Sequence, residues 1–202
     1  MNTRFLSLRR AARHSAALWL GVVLSLAGQD ARAQRYAIDP LRTEPGFEVP
    51  LWGMTIWKGK FTRFAGTVLF DRAAQAGSLD IVLESASLDF GMDLLNDRAR
   101  SPMFFDVDAH PQIRYVGRFS RFENGDPVEV QGELTLRGVT QPLQLVIDGF
   151  RCQSPVLPRR EVCTAQARGG FNRRDFGMTA FAPVDALGQV KLLIRVEAER
   201  ED

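Results

Sequence analysis

Apolar and polar residues alternate along most of this chain, a pattern typical of β-strands with one buried face and one solvated face. The clearest case is Gly132–Pro142, where Leu134 and Leu136 alternate with polar residues. Gly138 permits a tight bend, and a second alternating run, Leu143–Ile147, follows at once. The stretch is therefore predicted to be a β-hairpin that turns its leucines and Ile147 inward.

The same alternation recurs often enough to predict about eight strands. Asn124-Gly125 is a strong turn signal between two of them, and only Met92–Ala99 has the character of a short helix. Many short antiparallel strands indicate an all-β sandwich or barrel, and closing eight strands into an antiparallel barrel removes the exposed edges. The other alternating runs are 47–51, 68–70, 79–84, 113–119, 128–136, 164–171 and 190–198.

An eight-stranded barrel is either just filled by its own side chains or holds one slender ligand, and the residues alone leave both outcomes open. The small residues Ala165, Ala167 and Gly169 leave room inside the predicted strand 164–171.

Aromatic residues recur on most of the predicted strands and would supply an apolar wall. For any single aromatic residue, an ordinary packed core is the simpler interpretation. Together they would bind a long tail without strong polar contacts, because each buried CH₂ contributes about 0.8 kcal/mol. The residues predicted to contact such a ligand are Trp52, Trp57, Phe61, Phe64, Phe70, Phe104, Phe105, Tyr115, Leu134, Leu136, Leu145, Phe171 and Phe176.

Residues 1–33 are predicted to be a cleaved signal peptide, which leaves residues 34–202 as the folded domain. Several arginines precede a short apolar core, Ser15–Ala27, that is too short to span a bilayer as a stable helix. Ala31 and Ala33 then supply the small residues that a signal peptidase reads. The alternative, an uncleaved anchor, is disfavoured by the length of the apolar core.

The net charge depends on that leader. The leader carries five of the 26 basic residues and one of the 24 acidic residues, so the remaining chain has a net charge of −2. No global basic field is left to attract nucleic acid, and no second apolar segment is long enough for a transmembrane helix. We expect no nucleic-acid partner and no transmembrane segment, while the sequence leaves a homodimer open.

Cys152 and Cys163 are the only two cysteines. Export to an oxidising compartment favours a disulfide between them, with free thiols or a metal pair as the alternatives. Two cysteines without a nearby histidine make a weak metal site, so no metal is expected.

No constellation for catalysis is apparent. His110 is the only histidine after the leader, and no G-x-S-x-G elbow accompanies it. Metal-ligand clusters, phosphate loops and dinucleotide fingerprints are likewise absent from the sequence, so we expect neither an enzyme nor a cofactor. Arg173 and Arg174 are interpreted as solvated residues or turn anchors, with a contact to a phosphate head group as the alternative.

Six short motifs in order resemble the YceI family, and together they cover nearly all of the chain after the leader. The stretch Gly132–Pro142 is the most specific of them. The others are Tyr36–Pro40, Gly59–Gly66, Ser87–Asp89, Phe104–Val107 with Pro111 and Ile113, and Phe171–Met178, the last similar to the family's Arg-x-Asp-Phe-Gly-Met ending.

This resemblance implies a lipocalin-like eight-stranded barrel, exported to the periplasm or beyond. It also implies an elongated apolar cavity for a polyisoprenoid chain, such as a quinone tail or an isoprenyl carrier, and binding or transport instead of catalysis.

The chain departs from the family at its polar hallmarks. Arg42-Thr43 stand where the family has His-Ser, Leu51 replaces a second histidine, and Leu95–Ala99 replaces an Arg-Asp-x-His-Leu segment. These positions are expected to line the cavity mouth or tie the helix to the barrel, so head-group recognition is expected to differ. Two hypotheses remain, a lipid-binding barrel for transport, storage or sequestration, and a filled barrel that serves as an interaction or stress-response module.

Overall fold

The computed structural model describes residues 33–51, 55–154 and 160–201, with the side chain of Leu51 excepted. The predicted leader lies almost wholly outside these residues, as does Trp52. The described chain forms β1 (Gln34–Ile38), β2 (Glu44–Leu51), β3 (Thr55–Phe61), β4 (Phe64–Asp71), β5 (Ala76–Glu84), β6 (Leu88–Asp89), α1 (Asp93–Arg100), β7 (Gln112–Glu123), β8 (Asp126–Leu136), β9 (Val139–Gln153), β10 (Val162–Asn172), α2 (Asp185–Gly188) and β11 (Gln189–Arg200). Two 3₁₀ turns, Ser85–Ser87 and Arg173–Phe176, complete it.

These strands form one closed antiparallel barrel of eight long strands. β1 and β2 act as one interrupted strand, since both pair with β11. β3 and β4 form one bent strand beside them, and β5 continues into β6. β7 to β11 follow in order, and the ring closes where β11 meets β1 and β2. The predicted barrel class is confirmed.

Both predicted turns join adjacent strands in register. In the hairpin at Gly132–Pro142, Leu136 pairs with Val139, and the intervening Arg137 and Gly138 have φ values of 52° and 72°. Two successive positive φ values suit the right-handed twist of the flanking strands. Asn124-Gly125 forms the equivalent turn between β7 and β8, with φ values of 54° and 87°.

Inward and outward faces follow the predicted alternation. On β7, Ile113 and Tyr115 are buried while Arg114 is exposed, and on β9 Leu143, Leu145 and Ile147 are all buried. The outer face is held by ion pairs between neighbouring strands, for example the pair of Arg168 Nε with Asp148 Oδ2 at 2.6 Å and the pair of Arg114 with Asp80.

Helices are few in the described part of the chain. The predicted helix at Met92–Ala99 is confirmed as α1, shifted by one residue. α2 and the two 3₁₀ turns differ from the prediction of a single short helix. None of the described helices is long and apolar enough to cross a membrane.

The predicted disulfide between Cys152 and Cys163 is confirmed. The two residues face each other in register on β9 and β10, so the bond links adjacent strands at one end of the barrel. Tyr36, Phe70 and Ala198 pack around Cys163.

Reduction of this disulfide is expected to lower the free energy of unfolding by about 3 kcal/mol, because the bond closes a short loop in the unfolded chain. The residues are 11 apart in sequence. Urea unfolding with and without reductant would measure the effect. The double variant Cys152→Ser/Cys163→Ser is the control, since its midpoint should not respond to reductant; an unmoved wild-type midpoint would contradict the prediction.

Candidate functional site: a cavity inside the barrel

The barrel encloses a cavity of about 320 Å³. Its wall consists of inward-facing side chains from the strands, together with residues of α1 and of the connections near it. Almost all of these side chains are apolar. Eleven of the predicted ligand-contacting residues lie on this wall, namely Trp57, Phe61, Phe64, Phe70, Phe104, Phe105, Tyr115, Leu134, Leu136, Leu145 and Phe171.

Two predicted contact residues stand apart. Phe176 does not line the cavity, because it lies in the 3₁₀ turn after β10 and packs edge-on against Phe171, with ring centroids 5.2 Å apart. It is fully buried and belongs to the supporting core. Trp52 lies outside the described residues. The other eleven residues line the cavity wall. Their contact with a ligand stays a prediction.

Alanines on β10 create much of the open space. Ala165 and Ala167 face the cavity, where larger side chains would occupy it. The expectation that small residues of this strand leave room inside the barrel is met at Ala165 and Ala167. It is wrong for Gly169, because the side chain of Leu145 packs where a Cβ of that residue would lie.

One end of the cavity is closed by aromatic rings. Phe70 contacts Phe119, Phe122 and Phe150 at centroid distances of 5.7, 6.5 and 5.7 Å, next to the disulfide. The four rings lie where β4, β7 and β9 end. This end, called the closed end below, offers an apolar floor.

The tyrosine hydroxyls on the cavity wall are already satisfied. Tyr36 donates to Glu161 Oε2 at 2.9 Å, and burial together with this carboxylate raises the pKa of Tyr36 to about 12. Tyr115 donates to the carbonyl oxygen of Leu143 at 3.0 Å, and burial raises its pKa. Both groups therefore stay protonated at neutral pH and are already hydrogen-bonded within the protein.

The opposite end is covered by α1, the following loop and residues 173–188, and is called the covered end below. Phe104 and Phe181 stack there with their centroids 6.2 Å apart. Arg137, at the tip of the Gly132–Pro142 hairpin, donates to the carbonyl oxygen of Phe104. The hairpin at Gly132–Pro142 thus holds the loop after α1 in place at the covered end.

Asn96 anchors α1 to the barrel. Its side chain is buried; Oδ1 accepts from the backbone N–H of Phe90 at 2.7 Å, and Nδ2 donates to Asp89 Oδ1 at 3.1 Å. Asp89 also accepts from the N–H of Gly91 at 2.8 Å, and these hydrogen bonds lower the pKa of its carboxyl group. Asn96 lies in the segment Leu95–Ala99, which was expected to line the cavity mouth or tie the helix to the barrel, and its hydrogen bonds do the latter.

Arg173 is the one buried charged residue of the described chain, with 5% of its surface exposed. Its guanidinium lies 5.8 Å from the ring centroid of Phe104 and donates to the carbonyl oxygen of Ala180 at 2.8 Å. Its buried Nε has no partner, and burial lowers its pKa. The interpretation of Arg173 as a solvated residue is therefore wrong, because the side chain is buried in the cavity wall. The interpretation as a turn anchor agrees with its hydrogen bond to Ala180.

A second buried donor without a partner is the indole N–H of Trp57. Trp57 and Arg173 both line the cavity, and they are the two described residues whose buried side-chain nitrogen lacks a hydrogen bond. Both nitrogens are shielded by neighbouring atoms, so the surface that the cavity exposes is almost wholly apolar.

The positions that depart from the family pattern fall in different places. Arg98, on α1, lines the cavity as expected. Arg42 does not lie at the covered end: it is exposed in the break between β1 and β2 and pairs with Glu197 at 2.8 Å. The expectation of a mouth position is wrong for Arg42, because pairing with β11 places that break between Arg195 and Ala198, in the half of β11 farther from the covered end.

No catalytic or metal-binding arrangement emerges among the described residues. The one group that could bring metal ligands together is Cys152, Glu161 and Cys163, and both of its sulfur atoms are bonded to each other.

The sequence profile of the YceI-like domain matches residues 36–198, the whole of the barrel. The chain belongs to the YceI-like family. A UPF0312 protein of Pseudomonas aeruginosa is 28% identical over 196 residues, covering 92% of this chain and 97% of the relative. Another, from Pectobacterium atrosepticum, is 29% identical over 158 residues, covering 77% and 80%.

Solved structures share the fold of this YceI-like chain. BcnA of Burkholderia cenocepacia is 20% identical with a TM-score of 0.62, covering 79% of this chain and 98% of BcnA. A YceI protein of Campylobacter jejuni is 22% identical at 0.62, covering 74% and 88%. A polyisoprenoid binding domain from Saccharophagus degradans is 15% identical at 0.57, covering 82% and 98%.

The substitution Asp89→Asn is expected to destabilise the protein at neutral pH, because it weakens the bonds that hold α1. Since the folded pKa of Asp89 lies below the usual 3.8, its contribution is present above that pH and is lost as pH falls through the folded pKa. The wild-type-minus-variant difference in free energy of unfolding should therefore be constant between about pH 5 and 8 and shrink in stronger acid. Urea titrations across pH would measure it.

The background Asn96→Ala serves as the control for this prediction. Without the amide that donates to Asp89, the effect of Asp89→Asn should be smaller. An effect equal in both backgrounds, or one that grows in acid, would contradict the assignment.

Proposed function

We propose that this protein is a non-catalytic carrier that holds a polyisoprenoid, or a similar long-chain amphiphile, inside its barrel. The observation that carries the proposal is the apolar cavity of about 320 Å³ inside the barrel. Protein interiors are otherwise close-packed, and apolar cavities bind apolar ligands. The volume lies at the lower end of the usual range for small-molecule sites, which favours one slender chain.

Transport, storage or sequestration of the ligand would all use the same arrangement. Contact with the hydrophobic wall stabilises each methylene of the ligand's chain, so binding does not require polar groups at particular positions of the ligand. The family resemblance and the polyisoprenoid binding domain from Saccharophagus degradans support the ligand class.

The alternative, a barrel filled by its own side chains that acts as an interaction module, is disfavoured by the open volume. Its defining feature would be a packed interior, whereas Ala165 and Ala167 leave the space beside β10 open. No described feature favours catalysis, so the proposal assigns none.

A periplasmic location is part of the proposal. The cross-strand disulfide suits an oxidising compartment, and residues 1–33 carry the features of a signal peptide. Cleavage before Gln34 would follow, and the intact mass of the exported protein would test it.

The direct experiment is solvent extraction of the purified protein, followed by mass analysis of the extract and native mass spectrometry of the protein. A bound long-chain species, or uptake of an added polyprenyl compound, is the expected result. A protein that stays empty when polyprenyl compounds and long-chain amphiphiles are offered would contradict the proposal.

Ala167→Phe is expected to weaken binding of long-chain ligands at least about tenfold, because the added ring occupies cavity volume. Ala167 is buried and faces the cavity. The matched control is Gln166→Phe, which places the same ring on the exposed outer face of β10. Fluorescence displacement titrations would measure affinity; equal binding by both variants would argue against the cavity as the site.

A further inference from the structure

Exposed apolar side chains are concentrated on the outside of the covered end. The described chain exposes eleven large apolar side chains, and five of them lie in two short segments there. Residues 92–103, which include α1, carry three of these side chains, and residues 181–184 carry two. The five residues, called the apolar rim below, are Met92, Leu94, Met103, Phe181 and Val184, and Leu94 has 79% of its surface exposed.

The two segments of the apolar rim meet in space. Phe181 stacks on Phe104, with the ring centroids 6.2 Å apart, and Met103 directly precedes Phe104 in the chain. The sulfur of Met103 lies 3.5 Å from Nη2 of Arg98, which is one helical turn from Leu94 on α1. The two segments therefore form one surface at the covered end.

The closed end has a different surface. Its described turns, residues 71–76 and 123–126, contain no large apolar side chain. They contain four charged residues, Asp71, Arg72, Glu123 and Asp126. Since contiguous exposed apolar side chains mark interaction sites, the apolar rim indicates that the covered end contacts another apolar surface.

The apolar rim is continuous with the cavity. Phe181 is 45% exposed at the surface and also lines the cavity, as does its stacking partner Phe104. Elsewhere the cavity wall consists mainly of strands that are hydrogen-bonded to their neighbours, and aromatic rings occupy the closed end. A long-chain ligand therefore passes most easily at the covered end, where side chains and not backbone hydrogen bonds separate the cavity from the surface.

The charges around the apolar rim favour a partner surface without net charge. Residues 92–103 carry two aspartates and two arginines, and residues 181–184 carry no charge. The chain after the leader has a net charge of −2, so an anionic surface would not attract it. Attraction at the rim must come from burial of apolar side chains, which the interface of a zwitterionic bilayer offers. A bilayer is also where a water-insoluble long-chain ligand resides.

We propose that the apolar rim docks on the surface of a zwitterionic lipid bilayer, and that the ligand passes between bilayer and cavity at the covered end. The passage of ligand rests on the proposed function, whereas docking is measured without any ligand. In the docked protein, Leu94 and Phe181 are buried at the boundary between head groups and acyl chains. Docking spares the ligand a passage through water, which is unfavourable for each of its methylenes.

Sedimentation of the purified protein with phosphatidylcholine vesicles tests the docking surface. Wild type is expected to bind, and the rim variant Leu94→Ser/Val184→Ser to bind at least about tenfold more weakly, because it buries less apolar area. Neither of these two residues lines the cavity. The matched control, Leu41→Ser/Val146→Ser, removes the same residue types from exposed positions in the break between β1 and β2 and on the outer face of β9. The control should bind vesicles as wild type does.

Salt, lipid charge and ligand transfer extend the test. Vesicle binding should not weaken at high salt, and it should be no tighter when the vesicles contain phosphatidylglycerol. Transfer of a fluorescent long-chain fatty acid from vesicles to the protein should be at least about tenfold slower in the rim variant. The affinity of the rim variant for the same fatty acid without vesicles should equal that of wild type, because the cavity wall is unchanged.

Three results would overturn the docking proposal while carriage of long chains stands: wild type that binds no vesicles, binding that requires anionic lipid, and a rim variant that binds as tightly as wild type. A wild-type dimer that dissociates in the rim variant would also overturn it, because the apolar rim would then face a second copy of this chain. Failure of wild type to take up the fatty acid without vesicles would count against the proposed function, and sedimentation would still decide the docking.

Discussion

The rest of the structure depends on the hydrogen bonding of β11 along both of its edges. β10 pairs with one edge along its whole length, while β1 and β2 share the other. Gly46 is required at that second edge, because a Cβ there would lie 2.8 Å from the carbonyl oxygen of Leu193. Once the ring is closed, no long edge is left to aggregate, and the alternation of each strand decides which side chains face the interior.

Closure also fixes the interior volume, which the side chains then only partly fill. Aromatic rings close one end, whereas alanines on β10 leave the middle open. Cavities in protein cores lower the free energy of unfolding in proportion to their volume. An unfilled volume of 320 Å³ would lower it by on the order of 8 kcal/mol. That loss is comparable with the whole stability of a typical domain, so an open interior makes physical sense where a ligand fills it.

Local patterns predicted the barrel well, because strand faces and tight turns are encoded over a few residues. The Asn124-Gly125 turn, the Gly132–Pro142 hairpin and α1 all follow from such local signals. The break between β1 and β2 could not be predicted, since it depends on pairing with a strand some 150 residues later in the chain. Likewise, the surroundings of Arg173 include the ring of Phe104, which is distant in the sequence.

Two of the residues that depart from the family pattern, Arg42 and Thr43, lie at the break between β1 and β2 and bond to β11 there. Thr43, in the place of the family's serine, both donates to the carbonyl oxygen and accepts from the N–H of Glu197, at 3.1 and 3.0 Å. Arg42, in the place of the histidine, pairs with the carboxylate of Glu197. These side chains bridge the gap that the interrupted strand leaves in the hydrogen bonding of β11. Both side chains therefore stabilise the closure of the ring at the point where the backbone pairing of β11 is interrupted.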